Sequence, residues 1–161
     1  MFKLIRTFIY IALYWFITQM FIVQIGLRIH DKWLVRDFRY FKSGSLEQNG
    51  QLWQKLVKVK CWKDHLPDGQ MIQSDIVSKS HYNQSSDITN IEKFVIETKR
   101  AELVHLLSIL PIVVFIKSKK SIKVINIVYV VIANVPCIIV QRYNRPKLQR
   151  IYLKKLIRKG D

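Results

Sequence analysis

The chain has 161 residues, 50% of them hydrophobic, and its 27 lysines and arginines against 11 aspartates and glutamates give a formal net charge of +16. This composition excludes disordered, collagen-like and linker-like chains and allows one domain at most. The positive charge requires an anionic partner, such as nucleic acid, acidic lipid or a phosphorylated small molecule.

The first predicted element is an uncharged run over residues 7–27. A run of this length and composition is typical of a membrane-spanning helix. Lys3 and Arg6 precede it, as in a signal peptide, but the residues that follow contain no small-residue cleavage site. We therefore favour an uncleaved N-terminal anchor over a signal peptide.

An interfacial segment is predicted over residues 28–96. Polar clusters, lysines and tryptophans such as Trp53 and Trp62 alternate in its central part. This mixture suits the level of the lipid headgroups, so we expect short surface helices and loops there.

A helical hairpin is predicted next. The capping-box sequence TNIE places a helix start near Thr89, and the helix is expected to span the membrane over 97–116 and to kink or end near Pro111. A second uncharged run predicts another span over 123–141. The link KSKKS is short, so the two spans must run antiparallel.

The C-terminal segment 146–159 is basic and amphipathic, and it is expected to lie on the membrane surface. The predicted fold class is therefore an all-α membrane protein, forming a single domain over 1–161. Sixteen lysines and arginines flank the spans on one side and six on the other. The positive-inside rule then places the middle segment and the C-terminus in the cytoplasm.

Polar side chains gather at one end of the predicted hairpin. Pairing residues at equal depth places His105 level with Asn134, and Glu97 level with Arg142. The set at the cytoplasmic interface comprises Glu97, Arg100, Glu102, His105, Asn134, Gln141, Arg142, Tyr143, Asn144 and Arg145. Two explanations of this set stay open. It is either a functional site or a group of ion pairs and snorkelling arginines that only pin the helices, because both use the same residue types.

His105 favours a catalytic explanation, because a neutral imidazole one turn deeper than Glu102 offers no anchoring charge. The two residues stand three positions apart on a helix, so their side chains can touch. A carboxylate that orients an imidazole makes a general base able to deprotonate an alcohol. Asn134 and Pro136 create a polar notch in the last span, filled either by a neighbouring helix or by a hydroxyl-bearing ligand.

Other candidate sites are weaker. The four histidines show no metal-ligand spacing, so neither a metal nor a cofactor is expected. Cys61 is a conceivable acyl-thioester nucleophile, but a thiol beside lysines is more often incidental. No nucleic-acid partner is expected, since much of the charge flanks the membrane segments without a nucleic-acid-binding motif.

The stretches FVIETKRAELVHLLSILP and IANVPCIIVQRYNRPKL resemble those of a small bacterial membrane family, the glycosyl-4,4'-diaponeurosporenoate acyltransferases of staphyloxanthin-type carotenoid biosynthesis. The resemblance extends over nearly the whole chain, including Tyr14, Trp15, Gln19 and the stretch WKDHLPDG. It implies a protein of the bacterial cell membrane, and the predicted spans and the charge count make that protein multi-pass, with its active face in the cytoplasm. It also implies an enzyme that esterifies a fatty acyl group onto the glucose 6-hydroxyl of a glycosyl carotenoid, in the last step of the pathway.

The expected partners are the lipid bilayer, the glycosyl carotenoid acceptor, and acyl-CoA or acyl carrier protein as the thioester donor. In the mechanism that the predicted geometry favours, His105 takes the hydroxyl proton and is oriented by Glu102 or Glu97. Arg100 or Arg142 would stabilise the oxyanion or hold the donor's phosphates.

The remaining candidates are assigned to substrate binding. Asn134, Gln141 and Asn144 are expected to hydrogen-bond the glucose and Tyr143 to stack on it. The substrate-binding set also includes Arg142, Arg145 and Asp64. The alternative is a non-enzymatic membrane subunit that scaffolds other carotenoid-pathway enzymes or binds acidic lipid.

Overall fold

A computed structural model describes residues 2–36, 38–66 and 88–160. Within these ranges the chain is helical and contains no strand, which confirms the predicted all-α class. The α-helices are α1 (Phe2–Arg28), α2 (Asp31–Val35), α3 (Gln51–Val57), α4 (Ile88–Leu107) and α5 (Lys120–Gly160). Short 3₁₀ helices lie at Arg39–Phe41, Ser45–Gly50, Val59–Cys61, Lys63–His65 and Leu110–Phe115. The end of the stretch WKDHLPDG, from residue 67, falls outside the described residues.

Two helices, α1 and α5, are long and apolar enough to cross a membrane. Large apolar side chains point outward from both, since Phe16 in α1 is 64% exposed and Ile132 in α5 is 68% exposed. Soluble monomers rarely expose contiguous apolar surface of this extent. The two helices are therefore compatible with membrane association.

The predicted span 97–116 is not one helix. The helix α4 starts at Ile88, one residue before the predicted start, and ends at Leu107, and a 3₁₀ helix with Pro111 near its start follows. Proline lacks a backbone donor, so an α-helix does not continue through it without loss. In the described part of the chain α4 is not among the candidate spans, because charged residues recur along it.

The predicted tail helix is not separate either. Residues 146–159 continue α5, which runs through Pro136 and Pro146. Each proline removes one helical hydrogen bond and costs about 3 kcal/mol in an isolated helix. Packing against α4, the main neighbour of α5, offsets this loss, and Pro146 is buried at that end of the helix.

Aromatic side chains attach α1 to the rest of the bundle. Trp15 is buried, donates from Nε1 to Oδ1 of Asn126 on α5 at 2.6 Å, and stacks on Phe115. The hydroxyl of Tyr14 donates to the carbonyl of Pro111 at 2.9 Å. These contacts hold α1 against both the 3₁₀ helix Leu110–Phe115 and α5.

Gly26 lets α1 approach α4 closely. A Cβ at this position would lie 2.2 Å from Cγ2 of Val104, whose branched side chain has little freedom to turn away. We expect Gly26→Ala to force the helices apart and to lower the unfolding free energy by about 1–3 kcal/mol, as overpacking usually does.

Thermal unfolding in detergent measures this effect, and Gly44→Ala is the matched control because a Cβ there meets no atom within 4 Å. Equal melting temperatures for the two variants would show that the close approach of α1 to α4 is wrong.

The connecting segment, residues 38–66, packs on the part of α5 around Val140 and Tyr143. Val59 is fully buried there against Val140 and Tyr143. Gly50 has a φ of +85° and approaches α5 so closely that a Cβ would lie 2.9 Å from the carbonyl oxygen of Tyr143. Both the backbone conformation and the contact require glycine.

Candidate active site

A buried ion cluster joins α4, α5 and the connecting segment. Glu102 is completely buried, and its carboxylate accepts from Nε of Arg142 at 2.8 Å and from Nη2 of Arg145. Arg142 also donates from Nη1 to Glu47 at 2.9 Å. Two arginines therefore face two glutamates, and each buried charge has a partner of opposite sign, as burial requires.

Backbone groups complete this cluster. Arg145 donates to the hydroxyl and the carbonyl of Thr98 and to the carbonyl of Phe41. Arg142 donates to the carbonyl of Tyr40 at 3.2 Å and lies over its ring. Partial burial raises the pKa of the Tyr40 phenol, although a hydrogen bond with Arg142 opposes the rise. Tyr40 is therefore neutral at physiological pH and adds no charge to the cluster.

Arg100 and Lys99 of α4 cap the C-terminal ends of α1 and α2. Arg100 donates to the carbonyls of Gly26 and Ile29 at 2.9 and 2.6 Å, and it pairs with Glu97 and Asp31. Nζ of Lys99 donates to the carbonyl oxygen of Leu34 at a distance of 2.7 Å. The last carbonyls of a helix lack helical partners and favour cations, so these side chains hold the ends of α1 and α2 on α4.

His105 and Asn134 meet between α4 and α5. Nδ1 of His105 lies 3.0 Å from Oδ1 of Asn134, which confirms that the two residues share a depth. Asn134 is 1% exposed, and its Nδ2 donates to the carbonyl of Val130 at 3.0 Å. His105 is only partly buried. The imidazole is thus held by an amide in a residue that as a whole stays partly exposed.

The amide orientation fixes the tautomer of His105. Because Nδ2 of Asn134 donates to a carbonyl, the atom that faces the imidazole is an oxygen, which can only accept. Nδ1 of His105 must then carry a proton, and in the neutral imidazole Nε2 keeps its lone pair. A neutral histidine in this state can accept a proton from an alcohol.

Two buried donors without a partner lie on α1 and directly after α4. Ser108 is 1% exposed and stands one turn after His105 on the same face of the chain, and its hydroxyl has no hydrogen-bond partner. Nε2 of Gln19 is likewise buried and unpaired, on the face of α1 that carries Trp15 and Gly26. Buried polar atoms are nearly always paired, so such atoms mark a place for a polar ligand or water.

Comparison with known proteins decides the family. The family model of glycosyl-4,4'-diaponeurosporenoate acyltransferases matches residues 37–154. The chain belongs to this family. Curated relatives of that name from Staphylococcus aureus strains Newman, N315 and USA300 are each 44% identical over 99% of this chain and 95% of their own length. No solved structure matches the chain.

The chain is therefore an acyltransferase, and seven of the predicted site residues of this enzyme fall into three groups. The pair His105 and Asn134 is brought together, as is the cluster of Glu102, Arg142 and Arg145. Glu97 and Arg100 lie apart from both, at the end of α1. Glu97 pairs with Arg100, whereas Arg142 pairs with Glu102 and Glu47, so the prediction that Glu97 lies level with Arg142 stays a prediction.

The prediction that Glu102 or Glu97 orients His105 is wrong, since Glu97 pairs with Arg100. Both carboxylate oxygens of Glu102 are used by arginines, and Asn134 holds the imidazole instead. Arg100 and Arg142 are engaged in ion pairs and carbonyl contacts, so their guanidinium groups are not directed at His105. For these charged residues the helix-pinning explanation is the one that the geometry favours.

The other predicted binding residues differ in accessibility. Tyr143 is 2% exposed and packs on Val59 and Val140, so its ring cannot stack on a sugar. Gln141 and Asn144 are partly buried on α5. Asp64 is 68% exposed and pairs with Lys63 at 3.5 Å. The roles of Gln141, Asn144 and Asp64 in substrate binding stay predictions.

Sequence reasoning missed Glu47 and Asp31, the partners of Arg142 and Arg100. One available signal was charge balance, because two arginines near one glutamate require a second carboxylate. It also gave no role to Ser108, whose position one turn after His105 was readable from the sequence.

Proposed function

We propose that this acyltransferase esterifies a fatty acyl group onto the glucose 6-hydroxyl of a glycosyl-4,4'-diaponeurosporenoate, as the last step of staphyloxanthin-type carotenoid biosynthesis. The names of its relatives support the acceptor. The single structural observation that carries the chemistry is the contact of Nδ1 of His105 with Oδ1 of Asn134, which leaves Nε2 of the neutral imidazole to accept a proton.

In the proposed reaction, Nε2 of His105 takes the proton from the sugar hydroxyl as the oxygen attacks the carbonyl carbon of an acyl thioester. A carbon–oxygen bond forms, the carbon–sulfur bond breaks, and the proton passes to the leaving thiolate. Asn134 accepts from Nδ1 throughout and keeps the ring oriented, as an asparagine does in some cysteine–histidine enzymes. No metal or cofactor takes part in these steps.

Ser108 and Gln19 are our candidates for stabilising the oxyanion of this reaction, in place of Arg100 and Arg142. Both are hydrogen-bond donors that lack a partner in buried surroundings, where a donor directed at developing charge is worth most. Arg100 and Arg142 are engaged in ion pairs, which supports assigning oxyanion stabilisation to Ser108 and Gln19 instead.

The membrane arrangement that we propose has the α1 and α5 apolar segments crossing the bilayer and the connecting segment in the cytoplasm. The excess of lysine and arginine near α4, the connecting segment and the end of α5 supports this orientation. A carotenoid tail would then lie among lipid chains with its glucose nearer the headgroups, while the anionic thioester donor, acyl-CoA or acyl carrier protein, would arrive from the cytoplasm.

Purified full-length chain in lipid nanodiscs tests the function directly. Supplied with a glycosyl-4,4'-diaponeurosporenoate and a fatty acyl-CoA or acyl carrier protein, it should yield an ester that mass spectrometry places on the glucose 6-hydroxyl. A membrane scaffold would yield no ester with either donor, and that outcome would refute the proposal.

A further inference from the structure

A cavity of about 560 Å³ lies between α2, the connecting segment, the first half of α4 and the last part of α5, away from His105. We call it the basic cavity. Three basic side chains line it, Lys42, Lys99 and Arg150, against the carboxylate of Glu92. Its volume falls within the range of ordinary ligand sites, and its charge favours an anion.

Apolar residues form much of the remaining wall. Val95 and Ile96 contribute from α4 and Leu153 from α5. The hydroxyl of Ser43, which also lines the cavity, is buried without a hydrogen-bond partner. A ligand that fits this wall has an anionic group able to accept from Ser43, joined to an apolar part.

The basic cavity is separated from the reaction centre along the helices. Six residues separate Lys99 from His105 and twelve separate Pro146 from Asn134, which corresponds to roughly 9 to 18 Å at the rise of an α-helix. A donor with its charge in the cavity therefore needs an extended arm to bring its acyl carbon to His105.

From these observations we infer that the basic cavity binds the phosphate of an acyl compound, with Arg150, Lys42 and Ser43 at the phosphate and Val95, Ile96 and Leu153 at the apolar part. A coenzyme A thioester from the cytoplasm and an anionic phospholipid of the bilayer share this chemistry. The role of the site in holding the acyl donor rests on the proposed function, whereas phosphate binding does not.

Binding of coenzyme A to the full-length protein in phosphatidylcholine nanodiscs tests the inference by calorimetry. Arg150→Glu should weaken binding at least about tenfold, the effect of one lost charged contact. Arg158→Glu is the matched control, because it makes the same charge change on an exposed position of α5 that does not line the cavity. It should change binding by less than about twofold, as distant surface charges do.

A second arm uses nanodiscs containing phosphatidylglycerol, with native mass spectrometry of the lipid retained by each variant. Retention by the wild type but not by Arg150→Glu, without coenzyme A binding, supports the same phosphate site with lipid as the source. Equal losses in Arg150→Glu and Arg158→Glu, or no binding of either probe, would overturn the inference.

Ser43→Ala removes only one hydroxyl oxygen and provides an independent variant. It should also weaken the binding of whichever probe the wild type retains. Unchanged binding in this variant would remove Ser43 from the site and overturn the inference as stated. Coenzyme A binding needs no acyl transfer, so intact binding without ester formation would refute the proposed function and leave the phosphate site standing.

Discussion

Replacing His105 with alanine is expected to lower the rate of ester formation by about 10²- to 10⁴-fold, the usual contribution of a general base. The reason is geometric, because Asn134 holds Nδ1 and leaves Nε2 as the proton acceptor. The measurement is kcat of the purified variant in nanodiscs, with acceptor and thioester both saturating.

His65→Ala is the matched control for this experiment. His65 is an exposed histidine on the connecting segment, so its loss removes an imidazole without touching the pair between α4 and α5. Activity should be retained there. If His105→Ala were as active as His65→Ala, the assignment of the base would be wrong.

Replacing Glu102 with glutamine is expected to lower the unfolding free energy by about 3–5 kcal/mol, as the loss of one partner from a buried ion pair does. Glu102 is fully buried between Arg142 and Arg145, so a neutral side chain leaves two cations with only Glu47 to balance them. Thermal or denaturant unfolding in detergent measures the change.

Glu92→Gln is the control on the same helix, since Glu92 is partly exposed and lies outside the ion cluster. Little change in stability is expected for it. If Glu102→Gln instead lowered kcat without lowering stability, the catalytic role suggested by the sequence would be right and the pinning role wrong.

The long apolar helices and the His105–Asn134 pair were predictable from the sequence. The uncharged runs predicted the positions of α1 and of the first part of α5, because a helix that crosses the bilayer needs about 20 apolar residues. Matching depths across a short turn then placed His105 beside Asn134. These inferences depend only on helix geometry and on the length of the link.

The ion partners were not predictable in the same way. Glu47 and Asp31 lie in short helices, and no periodicity in the sequence predicts that these helices place them beside Arg142 and Arg100. The continuation of α5 through Pro146 was not predictable either. Proline by itself indicates a helix break, and only packing in the folded protein overrides this tendency. Tyr143 was expected to meet the sugar, but its position on α5 faces the connecting segment.

A double-mutant cycle on kcat tests most directly whether His105 and Asn134 act as one unit. Asn134→Ala alone should slow ester formation by about tenfold or more, as the loss of a partner that orients a histidine does. The double variant should then be no slower than His105→Ala, because the amide has no imidazole left to orient. Losses that multiply would mean that the two residues act independently and would contradict the account.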